Sequence, residues 1–474
     1  MSADMQDTPT GHVIVVGGGI SGLAAAHRLL ASGVRVTVLE GSGLLGGKLL
    51  SGEIEGVRTD FGAESILARR PEGIGLARAV GLGDALQPPA IAAASLWNRG
   101  RLVPMPKGHV MGVPGDAQAL TGVLSDEGMR RIALDLELPR TEIGEDTALG
   151  EYVAARMGRE VVDRLVEPLL GGVYAGDVYR TSMRSSVPAL YEAARSHDTL
   201  TGAVRSIQQR TPANPAPVFA GLEGGIGTLP AAVADAIRAA GGDIQVHRPV
   251  HELRRTQAGW RLRTDDGFLE ADAVVLAAPA WAASALLASE SPAASAELAA
   301  VEYASMSLVT LAFRRTEVNL PQGSGFLVPP VDGHTIKAST FSSQKWAWAD
   351  RDPELVLLRT SMGRYGDEEH LHREDTDLVD VSLSDLGEAT GLSAKPVASA
   401  VTRWIGGLPQ YPVGHRERVA RVRTAVAALP GLSVCGAAYD GVGIPACIAG
   451  AQRAADEILA TPTLVRGIPN DLGE

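Results

Sequence analysis

The feature that most constrains the fold is the stretch "VIVVGGGISGLAAAHRLLASGVRVTVLE", which spans residues 13–40. Residues 13–16 are β-branched and bounded by glycine, which is typical of a short buried parallel strand. A helix over residues 20–32 and a second strand over residues 34–39 are predicted to follow. The stretch therefore predicts a βαβ unit at the start of the chain.

Three glycines of this unit, Gly17, Gly19 and Gly22, keep the GxGxxG spacing of a dinucleotide-binding turn. The first permits the tight turn, the second lets a pyrophosphate approach the backbone, and the third lets the helix pack on the strand. Free N–H groups and the dipole at the start of the helix attract phosphates. Glu40 ends the second strand, where its carboxylate can accept hydrogen bonds from both ribose hydroxyls, and it makes NADP a poorer fit. The unit therefore predicts a dinucleotide site.

A second glycine-rich run follows at once, with Gly46-Gly47-Lys48 and the small-residue turn at residues 60–64. A plain nicotinamide dehydrogenase would pass directly into the next βα unit, and nothing later in the chain resembles a second nicotinamide-binding unit. The run favours a large extended cofactor covered by several loops, namely FAD. A surface hairpin explains the same residues equally well, so both interpretations stay open at this point.

The composition limits the class of protein. A chain of 474 residues predicts two or three domains. A net charge of −12, a pI near 5.4 and an aromatic content of 4% argue against nucleic acid as the main partner, because phosphate binding needs a basic face. The two cysteines suit a reducing cytosol. The N-terminal residues lack a signal-peptide pattern, and the apolar run at residues 273–288 is too short to span a membrane, so we expect a cytoplasmic protein with at most peripheral membrane contact.

The pattern along the chain predicts a nucleotide-type α/β domain that other material interrupts twice. An amphipathic helix is expected over residues 148–170, and a proline-rich connector over residues 210–219. An antiparallel sheet with one helix near residues 375–391 follows after residue 300. We predict a discontinuous Rossmann-like domain (11–85, 218–299 and 405–465), an α+β domain with the antiparallel sheet (86–114 and 300–404) and a mainly helical domain (115–217).

Other candidates for chemistry are weaker. Cys435 and Cys447 lie among small apolar residues, so structural packing is a better interpretation than redox chemistry. His370 and His372 lie in an acidic segment without a second ligand cluster, so no metal site is predicted. A structural hydrogen bond is the better interpretation of His415. We find neither a GxSxG elbow nor a P-loop, and we predict no catalytic side chain.

Several longer motifs carry a resemblance to a known family. The stretch from residue 11 to residue 49 resembles amine-oxidase-like flavoproteins broadly. Others narrow the match, namely "TDFGAESILARRPE", "LVPMPKGHVMGVP", "VEPLLGGVYAGDVYRTSM", "FAGLEGGIGTLP", "ASTFSSQKWAWADRDPELVLLRTSMGRYGDE", "RWIGGLPQYPVGH" and "GAAYDGVGIPACIAG". Together they resemble the oxygen-dependent protoporphyrinogen oxidase family over nearly the whole chain. "ARRPE" and "LVPMPKGHVMGVP" are most similar to its Gram-positive branch, whose members act on coproporphyrinogen III.

The resemblance implies a flavin domain, a substrate domain and a helical domain. It also implies an FAD site formed by Gly17, Gly19, Ile20, Ser21, Gly22, Glu40, Gly41, Gly47, Lys48, Gly62, Ala63, Glu64, Ser65, Val250, Trp404, Gly436, Val442, Gly443 and Ile444. Val250 suits this role independently, because it is predicted to end a strand whose main chain could pair with adenine. The late strand at residues 432–436 is then expected beside the early ones, and a helix starting near Ala446 is expected to point its N-terminus at the flavin ring.

The implied reaction removes six electrons from a porphyrinogen in three two-electron steps, with molecular oxygen as acceptor and hydrogen peroxide as by-product. Four propionates on coproporphyrinogen call for cationic anchors. The basic residues nearest the substrate-side motifs are Arg69, Arg70, Arg99, Arg101 and Lys107. For each of them a solvated basic surface is an equally good interpretation. Eukaryotic-type relatives carry an arginine just before the second motif, where this chain has the uncharged segment "AIAAASLW", which favours the coproporphyrinogen branch.

Three alternatives remain open. Protoporphyrinogen IX could be the substrate of the same mechanism. A flavin amine oxidase is a second possibility, although no cysteine lies near "RWIGG" to attach the flavin, so a non-covalent cofactor is expected. A non-catalytic FAD-binding or haem-handling protein is the third. A downstream ferrochelatase is a further candidate partner.

Overall fold

The computed structural model describes residues 11–210 and 217–461. Its strands are β1 (His12–Val16), β2 (Arg35–Leu39), β3 (Ser51–Ile54), β4 (Val57–Asp60), β5 (Ile66–Leu67), β6 (Leu86–Gln87), β7 (Ser95–Asn98), β8 (Arg101–Pro104), β9 (His109–Val110), β10 (Val113–Pro114), β11 (Phe219–Leu222), β12 (Asp243–Gln245), β13 (Glu252–Arg255), β14 (Trp260–Thr264), β15 (Gly267–Ala271), β16 (Ala273–Leu276), β17 (Tyr303–Arg314), β18 (Gly325–Leu327), β19 (Ile336–Thr340), β20 (Leu355–Met362), β21 (Ala398–Pro409) and β22 (Leu432–Val434). Its helices are α1 (Ile20–Leu30), α2 (Pro71–Ala79), α3 (Asp126–Ala133), α4 (Leu149–Met157), α5 (Arg159–Val161), α6 (Glu167–Tyr174), α7 (Met183–Ser186), α8 (Pro188–Ser196), α9 (Leu200–Gln209), α10 (Thr228–Ala239), α11 (Ala280–Leu287), α12 (Pro292–Ala299), α13 (Ser342–Lys345), α14 (Asp375–Thr390), α15 (His415–Ala427) and α16 (Ile444–Leu459).

A five-stranded parallel sheet has the order β12-β2-β1-β16-β22. Its strands come from three separate parts of the chain, so the predicted interruption of the α/β pattern is present. The central strand β1 is buried at Val13, Ile14 and Val15, because helices cover both faces of the sheet. One face packs against α1, α10 and α16, and the other packs against α11, α12 and α15. The predicted βαβ unit at the start of the chain forms the middle of this sheet.

A seven-stranded sheet has the order β21-β17-β20-β19-β18-β7-β8. Most neighbours are antiparallel, as predicted, but β18 and β7 run parallel. Helix α14 covers one face, where Val309, Phe313 and Leu358 are buried. The opposite face carries Leu327, Arg359 and Trp404, and we call it the site face. Strand β21 continues to Pro409, so the predicted boundary at residue 404 falls inside a strand.

The region from residue 115 to residue 210 is mainly helical, as predicted, and has its own core around Leu149, Val153 and Leu165. The single helix predicted over residues 148–170 is wrong in detail. Gly158 adopts φ +93° and ends α4, and one π-helical turn at Val162–Val166 precedes α6. A Cβ at Gly158 would lie 2.5 Å from Cγ of Arg131, so packing as well as backbone conformation requires glycine there.

Two smaller predictions need comment. The proline-rich connector at residues 210–219 falls largely outside the described residues, although Phe219 already lies in β11. The strand expected to end at Val250 stops at Gln245, because only residues 243–245 pair with β2. Among the described helices, none combines the length and the apolar character that crossing a membrane requires.

Candidate cofactor site

The three glycines of the first turn occupy three different environments. Gly17 has φ +112°, and a Cβ there would lie 2.7 Å from the carbonyl oxygen of Ala277. At Gly22 a Cβ would lie 1.8 Å from the carbonyl oxygen of Gly17, so helix and strand pack too closely for any side chain. A Cβ at Gly19 would meet nothing within 4 Å. The turn therefore leaves open space in front of Gly19, at the N-terminus of α1, where a pyrophosphate fits.

Glu40 lies at the carboxyl end of β2, and the backbone fixes its side chain. One carboxylate oxygen accepts a hydrogen bond from Gly18 N–H at 2.7 Å, and the other accepts one from Ser42 N–H at 2.8 Å. Each oxygen keeps a further lone pair for a ribose hydroxyl. The geometry supports the predicted role of Glu40 as the ribose acceptor.

The loop at residues 46–48 lies directly against the first turn. Gly46 N–H donates to the carbonyl of Gly18 at 2.8 Å, and the two backbones form a parallel bridge between Gly19 and Gly46. Gly47 adopts φ +60°, and a Cβ there would lie 3.4 Å from Cα of Gly19. Burial lowers the pKa of Lys48. The loop thus packs onto the βαβ turn, as a cofactor-covering loop would, whereas residues 51–60 of the same run form the antiparallel hairpin β3–β4, so each interpretation holds for part of the run.

The turn at residues 60–65 lies between this loop and the seven-stranded sheet. Ala63 N–H donates to the carbonyl of Lys48 at 2.9 Å. At Gly62 a Cβ would lie 2.0 Å from that same carbonyl oxygen and 3.2 Å from the ring of Trp404. The Trp404 indole donates to the carbonyl of Phe61 at 3.1 Å. The structure thus brings Trp404 to the turn, although residue 404 and the turn are some 340 positions apart in the sequence.

The side chain of Glu64 belongs to a buried ion cluster. Lys345 and Arg359 both pair with its carboxylate. Burial opposes ionisation, but these two cations lower the pKa of Glu64 overall. Only the main chain of Glu64 therefore remains available to a cofactor, and neither Lys345 nor Arg359 was singled out from the sequence.

The late segment completes the site from the other end of the chain. Strand β22 pairs with β16 beside β1, as predicted, and α16 packs against α1. Gly443 is the N-cap of α16, with no side-chain cap, and the helix begins at Ile444, two residues before the predicted start. A Cβ at Gly436 would meet only the carbonyl oxygen of Ala278, at 3.9 Å. The two helices thus present uncapped N-termini at one edge of the sheet, with little side-chain material in front of them.

Val250 and Gly41 lie at the end of the site near Glu40. A Cβ at Gly41 would lie 3.6 Å from Pro249, so these two segments are neighbours. Val250 follows a loop, but within the described chain no hydrogen bond uses its main-chain N–H or C=O. Its main chain is therefore free to pair with an adenine even though it ends no strand.

The five predicted propionate anchors do not come together. Arg70 pairs with Glu72. Arg99 donates to the carbonyl of Val123 at 2.7 Å and pairs with Glu160, so it holds the helical region against the sheet. Arg101 lies on β8, at the sheet edge opposite the Trp404 strand.

The width of that sheet separates its β8 edge from the Trp404 strand. Neighbouring strands lie about 4.8 Å apart, so six intervals separate the two edges by roughly 25–30 Å. Arg101 on β8 and Lys107, three residues beyond the end of β8, both start from the β8 edge, whereas Arg69 lies two residues beyond β5 and close to the 60–65 turn. Arg69, Arg101 and Lys107 are exposed and take part in none of the ion pairs of the described residues, so their role in propionate binding stays a prediction.

The cysteines and the histidine behave as structural residues. Burial raises the pKa of Cys435 to about 12 and of Cys447 to about 11, so both thiols stay protonated. Burial lowers the pKa of His415 to about 4, and its Nε2 lies 3.1 Å from the carbonyl of Tyr439. In the described ranges no cluster of three or more His, Cys, Asp or Glu side chains is arranged to hold a metal ion.

Comparison with known proteins identifies the family. Residues 20–459 match the family described as "Flavin containing amine oxidoreductase". The chain belongs to this family. Its cofactor is FAD, and the open glycine cradle between α1 and α16 fits that group.

Individual relatives align with nearly the whole chain. A coproporphyrinogen III oxidase from Mycobacterium tuberculosis (strain ATCC 25618 / H37Rv) is 36% identical over 94% of this chain and 96% of its own length. One from Bacillus subtilis (strain 168) is 33% identical over 94% of this chain and 98% of its own. A crystal structure of a protein from Exiguobacterium sp. 255-15 superposes with a TM-score of 0.86 at 32% identity, covering 95% and 99% of the two chains.

Proposed function

We propose that this protein oxidises coproporphyrinogen III to coproporphyrin III, with FAD as cofactor and molecular oxygen as the final electron acceptor. The observation that carries the proposal is the match of 94% of the chain to relatives named coproporphyrinogen III oxidase, at 33–36% identity. That match extends well beyond the cofactor loops into the helical region and the seven-stranded sheet, which are the parts that would contact a substrate.

The stoichiometry follows from the substrate class. A porphyrinogen loses six hydrogen atoms when it becomes a porphyrin, and three molecules of oxygen are reduced to three of hydrogen peroxide. When bound, FAD accepts two electrons at a time from a meso C–H and passes them to oxygen. Three turnovers at one site therefore complete the reaction.

The protein's own contribution is binding, orientation and exclusion of water. Glu40 holds the ribose, and the uncapped starts of α1 and α16 bind the anionic parts of the cofactor. Trp404 lies against the 60–65 turn and forms a wall at the flavin end. The substrate would lie over the site face of the sheet, where α6 contacts β18 and β19 and where a Cβ at Gly172 would come within 3.8 Å of Leu327.

Propionate binding falls to basic residues that are free of structural partners. Arg69 is exposed and lies two residues beyond β5, which follows the 60–65 turn directly. Lys107 and Arg101 are also exposed, but they lie on or just beyond the edge strand β8. Arg–carboxylate pairing is bidentate and suits Arg69 in particular. We propose Arg69 as the first anchor to test among the five, because it is the one nearest to the 60–65 turn.

Protoporphyrinogen IX is the competing substrate, because it has vinyl groups where two of the propionates stand. Anaerobic flavin bleaching and steady-state oxygen consumption with each porphyrinogen decide between them. We expect coproporphyrinogen III to bleach the flavin faster and to give a higher kcat/KM. A large preference for protoporphyrinogen IX would overturn the substrate assignment, and bleaching by neither would favour a non-catalytic flavoprotein.

Two observations would distinguish the proposed activity from that of a flavin amine oxidase. Acid denaturation should release all of the yellow colour, since the sequence around Trp404 contains no cysteine for covalent attachment. Simple primary amines should leave the flavin oxidised under anaerobic conditions. We further propose a cytoplasmic location, which cell fractionation tests, and a ferrochelatase as product acceptor, which co-purification tests.

A further inference from the structure

Three consecutive carbonyl groups of the 60–65 turn accept hydrogen bonds from side chains of the seven-stranded sheet. Arg359, on β20, donates from one terminal nitrogen to the carbonyl of Asp60 and from the other to the carbonyl of Gly62, each at 2.9 Å. Trp404, on β21, donates to the carbonyl between them. The turn is thus held by two residues that the substrate-side sheet supplies.

The chemistry of the guanidinium suits this task. Its planar fork reaches two carbonyls at once and lies 3.3 Å from Oε2 of Glu64, while Lys345 pairs with the other carboxylate oxygen. The Arg359 side chain is 8% exposed, so these bonds form with little competition from water. A lysine would bring the same charge but could not bridge both carbonyls.

The opposite edge of the turn is held by main-chain bonds. Phe61 N–H donates to the carbonyl of Leu50 at 2.7 Å, and Ala63 N–H donates to that of Lys48 at 2.9 Å. Among the described residues no hydrogen bond uses the N–H groups of Glu64 and Ser65. With its first three carbonyls committed to the sheet, the turn keeps the N–H groups of Glu64 and Ser65 available as donors.

We propose that Arg359 is a positioning residue that fixes the 60–65 turn, so that the main-chain N–H groups of Glu64 and Ser65 are presented to the isoalloxazine end of FAD. The inference rests on the proposed function only in taking FAD as the cofactor. Arg359 acts through the turn and touches neither the substrate nor the reacting atoms. Donors held near an electron-accepting ring stabilise its reduced, more negative form, so Arg359 also raises the midpoint potential.

The test compares Arg359→Lys and Arg359→Met with the wild-type protein. We expect the flavin dissociation constant to rise about tenfold or more, because lysine keeps at most one of the two charge-assisted hydrogen bonds and methionine keeps neither. We also expect the flavin absorption bands to shift and the midpoint potential to fall. The matched control is Arg315→Lys, because Arg315 also bridges two carbonyls, those of Asp352 and Leu355, away from the turn. It should keep the wild-type dissociation constant and potential.

Hydrogen exchange at the amides of residues 60–65 of the FAD-loaded protein reads the clamp without substrate. Exchange should be faster in Arg359→Lys than in the wild type, even where Arg359→Met fails to fold. Wild-type exchange, dissociation constant and potential in Arg359→Lys would overturn the inference. A wild-type protein that binds FAD but oxidises no porphyrinogen would contradict the proposed function and would leave the inference on Arg359 standing.

Discussion

Arg364 donates a hydrogen bond from Nε to Oε1 of Glu167 at 3.1 Å, and both side chains are almost completely buried between α6 and the seven-stranded sheet. The other oxygen of Glu167 is buried without a partner among the described residues. Lys337 is buried beside them and donates to the carbonyl of Gly363 at 2.9 Å. Two cations thus share one anion, which leaves the cluster with a surplus positive charge when Lys337 is protonated.

Replacing Lys337 by methionine should stabilise the protein near neutral pH. Burial, with Arg364 adding to it, lowers the pKa of Lys337 from 10.5 to about 7 in the folded state. In the unfolded chain Lys337 keeps its proton up to about pH 10, whereas in the folded state it loses the proton near pH 7. The free energy of unfolding of the wild type therefore rises as the pH increases from 7 to 10. We expect Lys337→Met to gain about 1–3 kcal/mol at pH 7, since apolar replacement of a buried charge is often favourable.

Thermal unfolding from pH 6 to pH 10 checks this expectation, with the exposed Lys395→Met as the control. The gain in Tm of Lys337→Met should shrink as the pH rises, while Lys395→Met should follow the wild type throughout. A difference in Tm between Lys337→Met and the wild type that stays constant over that pH range would show that a charged Lys337 does not destabilise the folded state.

Gly22→Ala should abolish flavin binding and most soluble expression. Its Cβ would lie 1.8 Å from the carbonyl oxygen of Gly17, so the βαβ turn must move apart. Gly75→Ala is the matched control, because Gly75 lies inside α2 and is exposed, and a Cβ there would meet nothing within 4 Å. The control should raise stability by about 0.5–1 kcal/mol from helix propensity alone. Flavin absorbance per protein and Tm of the two variants measure both effects.

Glu40→Gln should weaken FAD binding without unfolding the chain. An amide has one acceptor oxygen in place of two, so it cannot serve Gly18, Ser42 and the ribose together. The loss of about one charge-assisted hydrogen bond corresponds to roughly a 10–100-fold higher dissociation constant. Flavin titration by fluorescence measures it, and Glu53→Gln, on an exposed position of β3, should bind as the wild type does. An unchanged flavin affinity in Glu40→Gln would show that Glu40 does not bind the ribose.

Asp135→Ala should destabilise the helical region strongly. Asp135 and Arg156 are 0% and 1% exposed, and Asp135 also accepts the N–H groups of Leu200 and Thr201. Removing the carboxylate strands a buried guanidinium, at a cost of about 3–5 kcal/mol. The exposed pair of Asp235 and Arg238 is the contrast, where Asp235→Ala should change stability by less than about 0.5 kcal/mol. Denaturant melts monitored by far-UV circular dichroism report both variants, and equal costs would contradict the role of burial.

Much of the cofactor site could be predicted from the sequence because its parts are local. The glycines of the first turn, Glu40 and the 46–48 loop lie within one stretch of the chain, and their chemistry depends on spacing alone. The helix predicted near residues 375–391 is present as α14 over residues 375–390, because hydrophobic periodicity is also a local signal.

Other features escaped the sequence because they depend on distant partners. Gly158 divides a helix that periodicity alone joins, since Arg131 packs where its side chain would be. Arg359 and Lys345 lie within one of the quoted family motifs, but the motif assigns them no role, and only the fold brings them to Glu64. Arg99 is one of five candidate propionate anchors in the sequence, and only the fold shows that Val123 and Glu160 already bind its side chain.

The sequence by itself determined the dinucleotide turn, the α/β class and the family resemblance, because glycine spacing and strand patterning act over short distances. Only the tertiary structure decided which cations are free and which carbonyls are held. A side chain's role there depends on burial and on partners from other strands, such as Arg359 against the Gly62 carbonyl. Long-range packing sets both, and no local pattern records it.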